Sequence, residues 1–124
     1  MKKTVLVVED DELLREIYAT KLEMEGFNVQ TARDGLDGLE KATQLKPNVI
    51  LLDMIMPRMT GLEFLRAFRP KQLHPQVATI VMSNKSTAAE IAQAKTLGVR
   101  DYLIKSQYTP DEIVQRIWSY LGEN

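Results

Sequence analysis

Acids, a hydroxyl and an amine stand in this sequence directly after short apolar runs, and together they could handle a phosphate group. Glu9, Asp10, Asp11 and Glu12 follow Val5-Leu6-Val7-Val8, and Asp53 follows Val49-Ile50-Leu51-Leu52. Ser83 follows the run from Val77 to Met82, and Lys105 follows Asp101 to Ile104. If the first and third runs are neighbours, Asp10 and Asp53 project into one small space beside Glu9. Two carboxylates about 4 Å apart repel by roughly 4 kcal/mol at an effective dielectric of about 20. Such a cluster must keep a proton at raised pKa or hold a cation. Hard oxygens without histidine or cysteine suit Mg2+, which takes one or two carboxylates plus waters or phosphate oxygens. With one lysine and one hydroxyl added, the set suits a phosphoryl group: cation and ammonium neutralise it while the hydroxyl donates a hydrogen bond. A carboxylate can itself be the nucleophile in such chemistry. Taken singly, each residue has a plainer reading. Acids after a strand complement a helix N-terminus, with Asp11 as the cap. A lone aspartate closes a turn, and a lone lysine or serine is solvated surface. Four such positions on the ends of three or four runs are much harder to dismiss.

The elements that must position these residues follow from hydrophobic period. Apolar runs at 5–8, 27–32, 49–52, 77–82 and 101–104 read as strands, the continuous ones buried on both faces. Between them lie stretches of helical period. Leu13, Leu14, Ile17 and Leu22 share one side of a helix closed by Gly26, and Leu36, Leu39 and Leu45 mark a second, stopped by Pro47. A short third helix from about Gly61 to Pro70 holds Leu62, Leu65 and Phe68. Ala88 to Leu97 forms a helix ended by Gly98, and Pro110 opens a last one with Ile113, Ile117 and Leu121 on its apolar face. Strands alternating with helices predict a three-layer α/β parallel sheet. In such sheets ligands bind outside the carboxyl ends of the strands, near the point where strand order switches.

Length and composition narrow the class. The 124 residues fit one domain, 1–124, with 44% hydrophobic and 27% charged side chains. Without cysteine there is no disulfide framework and no thiolate chemistry. A net charge of −1 supplies no bulk field for nucleic acid, so no direct nucleic-acid partner is expected. No apolar run approaches a membrane span or a signal-peptide core, so a cytoplasmic protein without a membrane partner is expected. His74, the single histidine, has no partner for a metal or triad role. The methionines read as core filler, and Trp118 reads as core packing rather than a partner anchor. Ala88, Ala89, Ala92 and Ala94 make their helix shallowly packed.

At this point the residues resemble a bacterial response-regulator receiver domain of the chemotaxis-regulator (CheY-like) type, from Val5 to about Leu121. The segment from Val49 through Asp53 to Met56-Pro57 and Gly61 resembles the family's strand, phosphorylated aspartate and following turn. Glu9-Asp10 resembles its acidic pair, and Gly98 through Asp101, Tyr102 and Lys105 resembles its last strand. The resemblance implies a (βα)5 doubly wound, five-stranded parallel sheet of flavodoxin-like receiver fold. It implies that Asp53 accepts phosphoryl from a histidine kinase or histidine phosphotransfer protein. Asp10, Asp53 and the backbone carbonyl of Ile55 would hold Mg2+, with Glu9 acting mostly through a metal-bound water. Lys105 would pair with the phosphoryl group and Ser83 would move toward it. Tyr102 would then turn inward, changing the face made by the helix at 88–97, the strand at 101–104 and the last helix. That face would meet a downstream protein target, and homodimerisation on phosphorylation is compatible with it. A switch of this kind turns over no separate substrate.

Departures from the pattern also carry expectations. Ser83 stands where threonine is commoner, and Asn84 follows where a small residue is usual, partly covering the site. Ser106 replaces a proline usually joined by a cis bond; cis before serine costs about 2.5–4 kcal/mol, so a trans bond and a shifted loop are expected. Thr60 replaces an aspartate as the cap of the short helix. Ile55 and Lys85 occupy positions that resemble those tuning phosphoryl lifetime in the family; Ile55, which cannot orient an attacking water, and Asn84, which hinders its approach, predict a long-lived phosphorylated state. The alternative is an interaction module that keeps the fold and works without phosphorylation. A Mg2+-dependent hydrolase fits less well, since Asp53-Met54-Ile55 lacks a second aspartate two positions on. Nucleotide and flavin sites lack their glycine-rich loop after the first strand.

Overall fold

The computed structural model describes residues 2–84 and 86–121. Five strands alternate with helices: β1 (Thr4–Val8), α1 (Glu12–Met24), β2 (Asn28–Ala32), α2 (Gly35–Leu45), β3 (Val49–Asp53), α3 (Gly61–Phe68), α4 (Pro70–Leu73), β4 (Ala78–Ser83), α5 (Ala88–Thr96), β5 (Asp101–Ile104) and α6 (Pro110–Leu121). All pairings are parallel, in the order β2-β1-β3-β4-β5. This is the doubly wound sheet expected from the alternation. Every residue of β3 and β4 is buried, as their unbroken apolar runs require. Odd and even positions face opposite layers. Leu6, Val8, Ile50 and Leu52 pack with Phe64, Leu65 and Ala94 on the side of α2, α3 and α5. Val5, Val7, Val49 and Leu51 pack with Tyr18, Leu22, Ile113 and Ile117 under α1 and α6. After β1 the chain goes to β2 on one side and then to β3 on the other, so the crevice for a ligand opens between β1 and β3.

Some expectations shift. The third helix ends at Phe68, because Arg69 takes a left-handed φ of 53° and Pro70 starts a separate turn of helix. Leu13, Leu36 and Leu45 point to solvent; on α1 it is Tyr18 and Leu22, four apart, that seal the core. β4 begins at Ala78 and takes in Ser83, and α5 stops at Thr96. Trp118 packs its ring on Phe27, centroids 4.4 Å apart, and His74 stacks on Phe68 at 4.1 Å. Both have structural work to do. No helix among the described residues is long and apolar enough to cross a membrane.

The start of α3 is pressed against the end of β3. A Cβ at Gly61 would lie 2.8 Å from Met54 Cα and 3.1 Å from the carbonyl oxygen of Asp53, backbone that has no room to yield. Gly61→Ala should therefore cost about 1–3 kcal/mol of stability, read as a lower urea midpoint at unchanged slope.

Candidate functional site

Register brings the acids together. Val8 pairs with Leu52, so Glu9 and Asp10, leaving β1, stand beside Asp53, the last residue of β3. One carboxylate oxygen from each of Glu9, Asp10 and Asp53 lies within 4.8 Å of the others. Glu9 and Asp53 are buried, while Asp10 is exposed at the mouth. Asp11 caps α1 by accepting from the Leu14 N–H at 3.0 Å, so this acid does the plainer of the two jobs weighed for it. Lys105 follows β5 in a short 3₁₀ turn, Lys105–Gln107, and no peptide bond among the described residues is cis. The loop at Ser106 is thus trans, as expected. Its lysine still reaches the site: Nζ lies 2.8 Å from Glu9 Oε1 and 3.4 Å from Asp53 Oδ1.

Glu9 is engaged on both oxygens, since the Asp11 N–H donates to Oε2 at 3.2 Å. Asp53 receives a long bond from the Ile55 N–H at 3.4 Å. These acids, with Leu14, Ile55, Asn84 and Lys105, line an open cleft of about 270 Å³. Asn84 is exposed at its edge, and Ile55 is 68% exposed. Ser83 ends β4, buried, and does not line the cleft. Tyr102 is half-buried against the layer of α2, α3 and α5, and its hydroxyl is hydrogen-bonded to Ser86 Oγ. Lys85, expected to tune the site, lies outside the described residues.

Two residues near the site escape a reading of strand ends. Arg15, on α1, donates to the carbonyl oxygens of Glu9 at 2.9 Å and Asp10 at 3.4 Å. Tyr18, buried under α1, has its phenol pushed up chiefly by burial, and it senses the charges of Lys105, Glu9 and Asp53. Arg15 gave no sequence signal. Tyr18 did, at the fourth position between Leu14 and Leu22.

Burial, the hydrogen bond with the Glu9 carboxyl and the charge of Glu9 push the Asp53 carboxyl up to about 7, with Lys105 opposing. Burial works against the charge of Lys105, but the bond to Glu9 and the charge of Asp53 outweigh it and hold its ammonium above the usual range. The cation-free cluster thus does what crowded carboxylates must and keeps a proton near neutrality.

The family model for the response regulator receiver domain matches residues 5–118. The chain belongs to this family. It is 32% identical over 118 residues to the probable transcriptional regulatory protein TcrX of Mycobacterium tuberculosis, covering 95% of this chain and 49% of that protein. It is 30% identical over 124 residues to the DNA-binding response regulator MtrA of the same organism, covering 100% and 53%. The receiver spans about half the length of the curated relatives it matches. Among solved structures, the chemotaxis protein CheY4 of Vibrio cholerae superposes with a TM-score of 0.87 at 27% identity, covering 97% and 99% of the two chains. Receiver domains of this family are the signalling switches of two-component systems rather than enzymes with a separate substrate. The exclusion of nucleic acid as a direct partner is overturned. The relatives are named as transcriptional and DNA-binding regulators, and this chain matches only about half of their length, so its near-zero charge is no argument against nucleic acid.

A pH dependence follows from the raised Asp53. Between its unfolded value of 3.8 and its folded value of about 7, the native state holds a proton that the unfolded chain has lost. Stability of the cation-free receiver therefore falls as pH rises through that window, by a few kcal/mol at most. Asp53→Asn should flatten most of the slope, measured by denaturant midpoints from pH 4.5 to 7.5 without divalent ions.

Proposed function

We propose that Asp53 accepts a phosphoryl group from the phosphohistidine of a kinase or phosphotransfer protein. The observation that carries this is one buried aspartate at the switch point of the sheet with two further acids and a half-buried lysine around it. The donor set fits Mg2+: three hard carboxylate oxygens in a cluster without histidine, beside the main chain of Ile55. Asp10, Asp53 and the Ile55 carbonyl would hold the ion. Glu9, whose oxygens already bind Lys105 and the Asp11 amide, suits contact through water. When bound, Mg2+ supplies positive charge that lets an anionic phosphoryl group approach the acids.

Asp53 must first shed its proton, which a cation beside it favours. A carboxylate oxygen then attacks phosphorus, and the N–P bond of the donor breaks with its electron pair left on the imidazole. Asp53 becomes an acyl phosphate. Lys105, already 3.4 Å from Asp53, is placed to leave Glu9 and pair with the new oxygens. Ser83 would donate its hydroxyl after a movement of the end of β4. Tyr102 would turn further inward, changing the face of α5, β5 and α6 that a downstream protein reads. The reading carries a cytoplasmic location with it. The phosphorylation-independent alternative loses the ground that Ser106 offered, since Lys105 meets Asp53 without a proline behind it.

Incubation with Mg2+ and a small acyl phosphate should add one phosphoryl group to the intact mass. Asp53→Asn or EDTA should abolish the gain; no gain in the folded wild type would overturn the reading. Ile55 is unable to orient an attacking water, and Asn84 sits at the rim of the cleft. The phosphorylated state should therefore last well beyond seconds, and Asn84→Ala should shorten it several-fold. A half-life of seconds under saturating Mg2+, unchanged by Asn84→Ala, sinks the lifetime claim alone.

A further inference from the structure

The loop between β3 and α3, which carries Ile55, is gripped by a pair of charges for which the phosphoryl chemistry has no use. Asp34 is 2% exposed, and its Oδ1 caps α2 by accepting from the Asp37 N–H at 2.9 Å. Its other oxygen, Oδ2, takes the guanidinium of Arg58. The Asp37 amide first, and Arg58 after it, hold the Asp34 carboxyl below the usual range despite its burial. Arg58 has a φ of 67°, the left-handed region that a side chain of this size seldom occupies. Next to it, a Cβ on Gly35 would lie 2.6 Å from both Cβ and the carbonyl oxygen of Met59. Residues 58 and 59 therefore rest directly on the bare N-terminus of α2. Strained backbone persists only where its surroundings over-determine it, and here they are a buried carboxylate and a glycine.

The rest of the loop is held at its ends. Met54 N–H donates to the Met82 carbonyl at 3.0 Å, and Gly61 N–H donates to the Met54 carbonyl at 2.8 Å. Between these anchors the Met56 side chain is buried in the core, while Ile55 itself is exposed and its N–H donates the long bond to Asp53. The main chain at Ile55 is thus held by the buried Met56 beside it and, three residues on, by whatever fixes Arg58.

We propose that the Asp34–Arg58 pair is a positioning element of the cation site: it ties the Ile55 loop to α2 so that the Ile55 carbonyl stays available to an ion held by Asp10 and Asp53. The inference rests on the reading of Asp53 as a Mg2+-assisted acceptor. It assigns to α2, which contributes no side chain to the cleft, control over how tightly the cation binds.

Calorimetric titration with Mg2+ alone tests it on wild type, Arg58→Gly, Asp34→Asn, the double variant and Arg58→Lys. Glycine suits the left-handed φ and asparagine keeps the helix cap, so both changes remove the ion pair while sparing the local fold. Each single variant should bind Mg2+ about tenfold more weakly, with a melting temperature close to that of wild type. The double variant should lose no more than one single, because both remove the same contact, and Arg58→Lys should recover part of the loss. Wild-type affinity in both singles, or losses that add, overturns the proposal. If Arg58→Gly fails to fold, Asp34→Asn and Arg58→Lys decide it on the same criterion. A wild type that binds no Mg2+ removes the site reading itself, and this inference with it.

Discussion

Everything in this receiver is arranged around an electrostatic conflict: two buried carboxylates and a third at the surface, within 4.8 Å of one another, balanced by one ammonium. One positive charge leaves the cluster with excess negative charge, and low accessibility denies it full hydration. Asp53 relieves the conflict by staying protonated to about pH 7. In the proposed reading a divalent cation would relieve it differently, by favouring the deprotonated Asp53 carboxylate. The cluster is thus a cost to stability that a cation would offset, which is how a structural liability would become a phosphoryl acceptor in the proposed transfer.

Holding such a cluster in place demands a stiff frame. The frame is the β1–β3–β4 centre of the sheet, whose apolar residues leave almost nothing exposed. Close approaches fix the loops that leave it, Gly61 against the end of β3 and Gly35 against Met59. Arg15 ties down the carbonyls of Glu9 and Asp10 from α1. Carboxylates that repel would drift apart on loops that could yield. Here the loop ends are bonded to neighbouring backbone, so the repulsion appears as a raised pKa rather than as a displaced chain.

The strand ends were legible from sequence because a strand buried on both faces must be apolar throughout, so a polar residue after the run marks its exit. Glu9, Asp53 and Lys105 were marked in that way, whereas the neighbourhood of β1 and β3 was a condition that alternation alone does not fix and that the strand order meets. Helix faces were harder. Leu13, Leu36 and Leu45 match a helical period yet lie outward, because two apolar stripes can be drawn on a short helix and only packing chooses between them. The turn of helix at Pro70 was hidden, since proline both ends one helix and begins another. The Asp34–Arg58 pair was invisible for a different reason: it depends on a left-handed backbone at an arginine, which no residue type announces. The error about nucleic acid was one of scope, since the charge of this chain speaks only for the part of those relatives that it matches.

The output side shows how a local event could be transmitted cheaply. Asn84, at the rim of the cleft, and Ser86, bonded to the Tyr102 hydroxyl, lie on one short connection between β4 and α5. In the proposed switch, a shift at the end of β4 would reach Tyr102 along this connection. α5 offers little resistance: Ala94 is its one buried residue, and its other contacts are partial. By contrast α6 buries Ile113, Val114 and Ile117, and Arg116 ties it to Asp101 on β5 at 2.8 Å. In the proposed switch, a charge change at Asp53 would meet a lightly packed helix on one side of Tyr102 and a deeply packed one on the other. Two-state elements are built from such unequal partners, because a small free energy suffices to move the weaker one while the stronger keeps the sheet intact.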